Sequence, residues 1–332
     1  MKILYINKNI ELSKPIVDQL IKLGFDVDVL IDTVPDPLDN TLLIHKLGNI
    51  FSRVFLNDKN YFFNKEKQVF RKFAETKLKK KDYDIAFFIR ADIFSESLVK
   101  KVRKQTKKMI NYQWDGIDIY PRILDYYKYF DRFFVFDKAD MRKYQNLNLL
   151  PLTNFYYSDR KKNNIAEYDF FYIGVGLDDR IRLIKSIEEF VIANGLRIKA
   201  ILTIPDFREE EITKSVSFQH KGISLEENED FATKAEVVID FKIDYHTGAS
   251  FRFFECLNRE QKIITNNTEM KNYDFYHPDN IFITDFENFN GLKEFLEKPY
   301  HKIERKIVEK YGIKNWLNYA LDYGDYEPIN LP

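Results

Sequence analysis

Short apolar runs alternate with helix-patterned stretches along this chain, and the joints between them are brief. Lys2–Ile6 is mostly apolar and ends in Asn7-Lys8-Asn9. Ile16, Val17, Leu20, Ile21 and Leu23 then recur at helical spacing, with Ser13 as candidate N-cap and Gly24 as stop before the run Phe25–Ile31. Strand, helix and strand so closely joined form a βαβ unit, whose strands run parallel. Further runs at Tyr83–Ile89, Met109–Trp114 and Phe130–Phe136 extend the pattern. The alternation restarts at Tyr168–Ile173, with a helix ending at Asn194-Gly195 and a strand over Arg197–Ile204. Residues 147–165, rich in Asn with Pro151, predict a linker. The expected class is α/β, with an N-terminal domain over 1–150, a second over 165–300, and a helical tail over 301–332 that packs on the body.

The densest chemistry lies between two predicted strands, Val237–Phe241 and Lys262–Thr265. Phe251, Phe254, Cys256 and Leu257 have the spacing of a short helix's core side. Gly248, Ala249 and Ser250 stand where that helix starts, so its free N–H groups offer partial positive charge there. Arg252 and Glu255, three apart, share one helix face. Amides, a cation and an acid at a strand-to-helix junction suit a nucleotide diphosphate: the amides and Arg252 for phosphate, Glu255 for ribose hydroxyls. His246 in the same stretch is either a ligand to phosphate or sugar or a loop residue.

Other candidates follow the strand ends, because open α/β sheets bind ligands beyond the carboxyl ends of their strands. Asp92 and Asp115 each follow a predicted strand; Asp115 reads as a site residue or as a turn residue before Pro121. Gly174-Val-Gly176 opens a loop that runs to Arg180, either a tight turn or an approach to phosphate. The first loop has no G-x-G-x-x-G, so a pyrophosphate is not expected there. Ser95 caps a predicted helix carrying Lys100, Lys101, Arg103, Lys104, Lys107 and Lys108, which reads as a solvated face or as a surface for anionic lipid headgroups. Ser224 with Glu227 forms a capping box.

Composition narrows the partners. The formal net charge is 0, and with no reading motif it argues against nucleic acid. One Cys excludes an internal disulfide, and no run of 18 apolar residues predicts a membrane span. With no secretory signal at the N-terminus, a cytoplasmic protein is expected, peripheral on the inner face of the cytoplasmic membrane if the basic helix meets lipid.

Two successive Rossmann-like halves with a terminal helical tail resemble the GT-B glycosyltransferases, and bacterial polysaccharide and lipopolysaccharide glycosyltransferases of the CgeB-like group in particular. Tyr112-Gln-Trp-Asp115 resembles their Trp-Asp segment. Gly248, Arg252, Phe254-Glu255, Leu257, Lys262, Ile264-Thr265 and Asn267 resemble their G-x-x-x-R-x-F-E-x-L-x-x-x-x-K-x-I-T-x-N run, followed by a similar Tyr273–Pro278 segment. The likeness spans essentially the whole chain, is specific over 236–283, and is only general over the first 80 residues. It implies that the C-terminal half binds a nucleotide-sugar donor and the N-terminal half a glycan or lipid-linked oligosaccharide acceptor. It further implies that Gly174, Gly176, Arg180 and Arg252 face the diphosphate and Glu255 the ribose. His220, Gly222 and Ile223 would lie beside the base through backbone contacts. The nucleotide sugar is a co-substrate, so no cofactor is expected, and no D-x-D motif closes a strand, so metal-independent transfer is the expectation. Many retaining relatives carry a second glutamate eight residues before the position of Glu255. Thr247 stands there, which leaves inversion open, with Asp115 and then Asp92 as candidate bases. A nucleotide-sugar epimerase or hydrolase of the same fold, and a non-catalytic partner of a glycosyltransferase complex, are the competing readings.

Overall fold

The structure, a computed structural model, describes residues 1–8, 10–31, 49, 52, 61–78, 82–203, 215–219, 222–242 and 247–332. The chain divides into two compact units, the first of Met1–Val135 with Asp140–Leu150 and the second of Phe136–Ala139 with Pro151–Pro332. Among the described residues, no helix is long and apolar enough to cross a membrane.

The first unit is built from β1 (Lys2–Asn7), α1 (Ile10–Lys22), β2 (Asp26–Ile31), α2 (Tyr61–Lys77), β3 (Tyr83–Ile89), α3 (Glu96–Arg103), β4 (Thr106–Gln113), β5 (Arg132–Val135), α4 (Lys138–Lys143) and β6 (Leu149–Pro151). The strands lie in the order β2-β1-β3-β4-β5-β6. The chain moves from β1 outward to β2, then returns to the other side of β1 with β3, and both of those pairings are parallel. Apolar residues of the sheet, among them Leu4, Ile6, Phe88 and Met109, pack with Leu98, Val99 and Val102 of α3 in one buried core.

Local signals settle several element starts. Ser95 caps α3, accepting from the Leu98 N–H at 3.3 Å. Ser13 does not cap α1: the helix begins three residues earlier and encloses Ser13, whose hydroxyl accepts from Asn7 Nδ2 at 3.0 Å. Tertiary contact overrode the cap preference. The basic helix is shorter than its charge pattern predicts. Lys107 and Lys108 lie in β4; Lys100 pairs with Glu96, Arg103 with Asp131 and Lys107 with Asp84. The expected linker also begins as structure, since Leu149–Pro151 forms β6 and Leu152–Tyr156 is buried.

The second unit contains β7 (Tyr168–Val175), α5 (Asp178–Ala193), β8 (Ile198–Thr203), β9 (Val216–Gln219), α6 (Leu225–Thr233), β10 (Ala235–Asp240), α7 (Phe251–Arg259), β11 (Lys262–Thr265), β12 (Ile281–Ile283), α8 (Leu292–Glu297), α9 (Arg305–Lys310) and α10 (Ile313–Leu321). Its sheet has the order β12-β11-β10-β7-β8-β9, with every adjacent pair parallel. β7 is laid down first, β8 and β9 extend to one side, and β10 returns to the other. The order therefore reverses between β7 and β10.

The capping box on α6 forms as the sequence predicts, with Ser224 Oγ accepting from Glu227 N–H at 3.2 Å and the Glu227 carboxylate accepting from Ser224 N–H at 3.0 Å. The terminal helices complete the core of this unit. Trp316 is fully buried, donates from Nε1 to the Thr153 carbonyl at 2.7 Å and lies 4.6 Å from the Phe155 ring. Tyr311 and Val308 join Phe253 and Phe254 of α7 in a second apolar cluster.

Candidate functional site

Ligands of open parallel sheets settle where the strand order reverses, outside the carboxyl ends of the strands. In the second unit that place is the gap between the ends of β7 and β10, and Arg252 bridges it. Its Nη1 donates to Asp240 Oδ1 at 3.1 Å at the end of β10, and its Nη2 donates to the Ile173 carbonyl of β7. The guanidinium carbon lies 5.6 Å from the centre of the Tyr172 ring. Burial opposes the positive charge, but Asp240, followed by Tyr172 and Glu255, raises the Arg252 pKa above its ordinary value. The side chain keeps 27% exposure.

Asp240 is the organising acid. It is buried and accepts from Ser250 Oγ at 2.6 Å as well as from Arg252. Ser250 occupies the N-cap position of α7 without capping it, because its hydroxyl serves Asp240 instead. The amino end of α7 is thereby left with no side-chain cap among the described residues, beside a guanidinium.

The turn into α7 is tied down on several sides. Thr247 donates from its N–H to Asp137 Oδ2 at 2.7 Å and from its hydroxyl to the same carboxylate. Asn267 Nδ2 donates to the Thr247 carbonyl at 3.2 Å, and Asn154 Nδ2 to the Ala249 carbonyl at 3.0 Å. Gly248 is required by close approach: a Cβ there would stand 2.6 Å from the Phe136 ring and 2.7 Å from its carbonyl oxygen.

The sequence candidates divide on this geometry. Arg180, in the first turn of α5, donates to the Val175 carbonyl at 3.3 Å and lies close enough to Tyr172 to act on its hydroxyl. Arg180 and Arg252 both lower the Tyr172 hydroxyl pKa, which burial raises by more. Gly174 lies inside β7 rather than in a loop, and a Cβ on it would strike the Tyr172 hydroxyl. Gly176 offers no free amide, since its N–H is bonded to the Thr203 carbonyl at 2.9 Å. Asp178 and Asp179 fill the first turn of α5 and oppose an anion at that end. Gly222 is exposed, and Ile223 packs against the small core around Phe171 and Ile201. His220 and His246 lie outside the described residues.

Glu255 is not poised as an open acceptor. Its carboxylate lies 3.7 Å from Arg259 Nη2 one turn on, and its side chain is 14% exposed. It also faces Tyr157, whose hydroxyl burial pushes well above the ordinary range, with Glu255 and Glu229 adding to the shift. A ribose at Glu255 would share that carboxylate with Arg259. Cys256 is no nucleophile, because burial pushes its thiol up to about 12.

In the first unit, Asp92 and Asp115 meet on one cation, Arg90. Arg90 Nε and Nη2 donate to Asp92 Oδ1 and Oδ2 at 2.9 and 2.7 Å, and Nη1 donates to Asp115 Oδ2. The guanidinium carbon sits 3.6 Å from the centre of the Tyr120 ring. Burial opposes the charge on Arg90, but the two carboxylates together hold its pKa above the ordinary value. Both oxygens of Asp92 are engaged and the residue is buried. Asp115 gives one oxygen to Arg90 and keeps 31% side-chain exposure.

The residues that sequence reasoning passed over are Tyr172, Asp137 and Asp240, while Arg90, which the sequence places with Asp92 at the end of a strand, was given no role. Asp240 had a signal, being the one charged residue in the apolar run Val237–Phe241. Arg90 had a signal too, as the first residue after a strand. Neither shows its partner in the sequence.

Two parallel six-stranded sheets flanked by helices, with a helical tail docked on the second unit, define the two-domain α/β architecture known as GT-B. Solved structures share it at low sequence identity. The UDP-GlcNAc 2-epimerase of Methanocaldococcus jannaschii, solved with UDP-GlcNAc and UDP, is 13% identical with a TM-score of 0.54 over 98% of this chain and 100% of that one. A second UDP-N-acetylglucosamine 2-epimerase is 11% identical, TM-score 0.55, over 99% and 98%. Anabaena HepE in complex with UDP and glucose is 11% identical, TM-score 0.54, over 97% and 99%. No protein-family model matches the chain, and no curated protein sequence matches it at a significant level.

Proposed function

We propose that this chain is a glycosyltransferase that takes its sugar from a nucleotide-activated donor bound by the second unit. The observation that carries the reading is Arg252, locked by Asp240 and the Ile173 carbonyl across the point where the strand order reverses. A departing nucleoside diphosphate gains negative charge as its bond to the sugar breaks. Arg252, Arg180 and the uncapped amino end of α7 are positioned to favour that charge more in the transition state than in the ground state. These groups do the work that a metal ion does in other transferases. The resemblance over 236–283 and the UDP bound in two of the fold neighbours support a nucleotide-sugar donor, with UDP as the first ligand to try. An acceptor of the surface-polysaccharide or lipopolysaccharide type fits the same resemblance.

A thermal-shift panel of nucleoside diphosphates and sugar nucleotides tests this, since a ligand that binds the native state raises its melting temperature. UDP or another nucleoside diphosphate is expected to stabilise the protein, and Arg252→Ala to weaken that ligand by about 2 kcal/mol, the scale of a charge-assisted hydrogen bond to phosphate. A panel without a shift, or an Arg252→Ala protein of unchanged affinity, would remove the reading.

For the acceptor we propose Asp115 as base. It takes the proton of the attacking hydroxyl, the oxygen bonds to the anomeric carbon, and the bond to the diphosphate breaks with its electron pair leaving on phosphate. Asp92 ranks behind it because both its oxygens are held. Asp115→Asn is expected to lower transfer at least 100-fold while donor affinity stays at the wild-type level. Transfer within a few-fold of wild type would eliminate Asp115.

The epimerases among the fold neighbours favour one second reading, in which the same donor site isomerises the sugar without an acceptor. Incubation with UDP-GlcNAc alone separates the two: an epimer appearing without free UDP identifies epimerisation.

A further inference from the structure

The carboxyl end of β7 leaves one edge of the strand open. From Phe170 on, its even-numbered residues bond toward β8: Phe170 N–H donates to the Arg197 carbonyl at 3.0 Å and Gly176 N–H to the Thr203 carbonyl at 2.9 Å. The odd-numbered ones face β10, and that pairing ends at Phe171 opposite Val238. The carbonyls of Ile173 and Val175 lie beyond the end of the ladder, and each takes a guanidinium. Arg252 Nη2 donates to Ile173, and Arg180 Nη1 donates to Val175 at 3.3 Å beside the Leu177 N–H. Two cations thus stand on carbonyls about 6.6 Å apart along one strand edge.

Tyr172 joins them. It is 2% exposed, and its ring centre lies 4.7 Å from that of Phe241. Residues two apart share a face of the strand, and the phenol runs forward over Gly174, where its hydroxyl occupies the space that a Cβ would fill. The Arg252 guanidinium carbon is 5.6 Å from the ring centre. Burial raises the pKa of the hydroxyl, and Arg252 and then Arg180 pull it back, so the phenol oxygen lies within electrostatic reach of both cations.

The two arginines are not held alike. Arg252 has the Asp240 carboxylate as well as its carbonyl, whereas the bond of Arg180 to Val175 is a single long one. One such bond does not offset the rotamer freedom of an arginine side chain, so the direction of Arg180 depends on the phenol beside it.

We propose that Tyr172 is a positioning residue for the donor phosphates: its hydroxyl keeps Arg180 in line with Arg252, so that the two guanidiniums bind one diphosphate as a unit. The inference rests on the donor reading above, and deepens it by naming the residue that makes the pair act together. Without the hydroxyl, Arg252 keeps Asp240 while Arg180 turns to solvent.

Calorimetry of the full chain with UDP, ADP and GDP tests this in wild type, Arg180→Ala, Tyr172→Phe and the double variant. At least one of the three ligands is expected to bind wild type. Arg180→Ala is expected to weaken that ligand about tenfold in the wild-type background, the loss of roughly one charge-assisted hydrogen bond. In the Tyr172→Phe background the same change is expected to weaken it by less than about twofold, because the arginine is already out of place. Tyr172→Phe keeps the ring against Phe241 and is expected to melt within about 3 °C of wild type. A hydroxyl that only stabilised the fold would lower the melting temperature and leave the Arg180 factor the same in both backgrounds, and that result overturns the proposal. An Arg180→Ala protein of wild-type affinity overturns it as well. If none of the three ligands binds wild type, the donor reading fails and this inference falls with it; binding with an Arg180 factor that ignores Tyr172 removes the inference alone.

Discussion

Asp240→Ala is expected to destabilise the second unit by about 3 kcal/mol and to weaken nucleotide binding by about the 2 kcal/mol expected of Arg252→Ala. The residue is buried, and its loss leaves the guanidinium of Arg252 without its counter-ion and the Ser250 hydroxyl without its acceptor. Removing one partner of a buried pair costs about 3–5 kcal/mol, and the lower end applies because Arg252 retains some solvent contact. Without Asp240, Arg252 keeps only its bond to the Ile173 carbonyl, which fixes one end of the fork and not its plane. Asp240→Asn separates the two effects: the amide can still accept from Ser250 while the charge is gone, so stability is expected to recover more than binding does. Urea unfolding and calorimetry with UDP read the two quantities independently. Wild-type affinity in Asp240→Ala would show that the carboxylate does not prepare the site.

The second large effect is expected far from the chemistry. Trp316→Ala should cost about 3–5 kcal/mol, the usual range for emptying a fully buried indole site. Two losses combine there: the ring packing on Phe155, and the bond from Nε1 to the Thr153 carbonyl, which is left unsatisfied in a dry interior. Thr153 and Phe155 lie 163 and 161 positions before it, so the tail and the start of the second unit hold each other. The tail helices would then melt with the unit rather than fray ahead of it. Denaturant midpoints of the variant check the magnitude; a change below about 1 kcal/mol would mean that the tail is an accessory.

Much of the fold could be read from local pattern. Helical spacing and the Gly24 stop define α1, the capping box starts α6, and apolar runs closed by glycine or polar residues mark most strands. Such signals lie within one or two turns of chain, where sequence neighbours are also spatial neighbours. The errors fell where that condition fails. Ser13 looks like a cap but is held by Asn7 of β1, and Lys107 and Lys108 continue a basic helix pattern yet belong to β4.

The candidate site shows the same division more sharply. The run Gly248–Glu255 does place an amino end, a guanidinium and an acid on one short helix, and Arg252 does reach the reversal point of the sheet. What Arg252 and Glu255 do there is set by residues the local pattern does not couple to them. Asp240 engages Arg252, and Arg259 turns Glu255 partly inward. In the first unit the sequence offered Asp115 and, behind it, Asp92. Arg90, at 90 along the chain, takes both oxygens of one and a single oxygen of the other.

The sequence by itself determined that this chain would lay down two parallel sheets in succession and begin a helix at Ser250, because strand and helix periodicity, glycine stops and caps are short-range properties. Only the tertiary structure decided which charges would be neutralised and which amide would be closed off by a neighbouring strand. Those outcomes depend on pairings between residues tens of positions apart, and the free energy of a charge or an amide is fixed by what surrounds it rather than by what adjoins it in the chain.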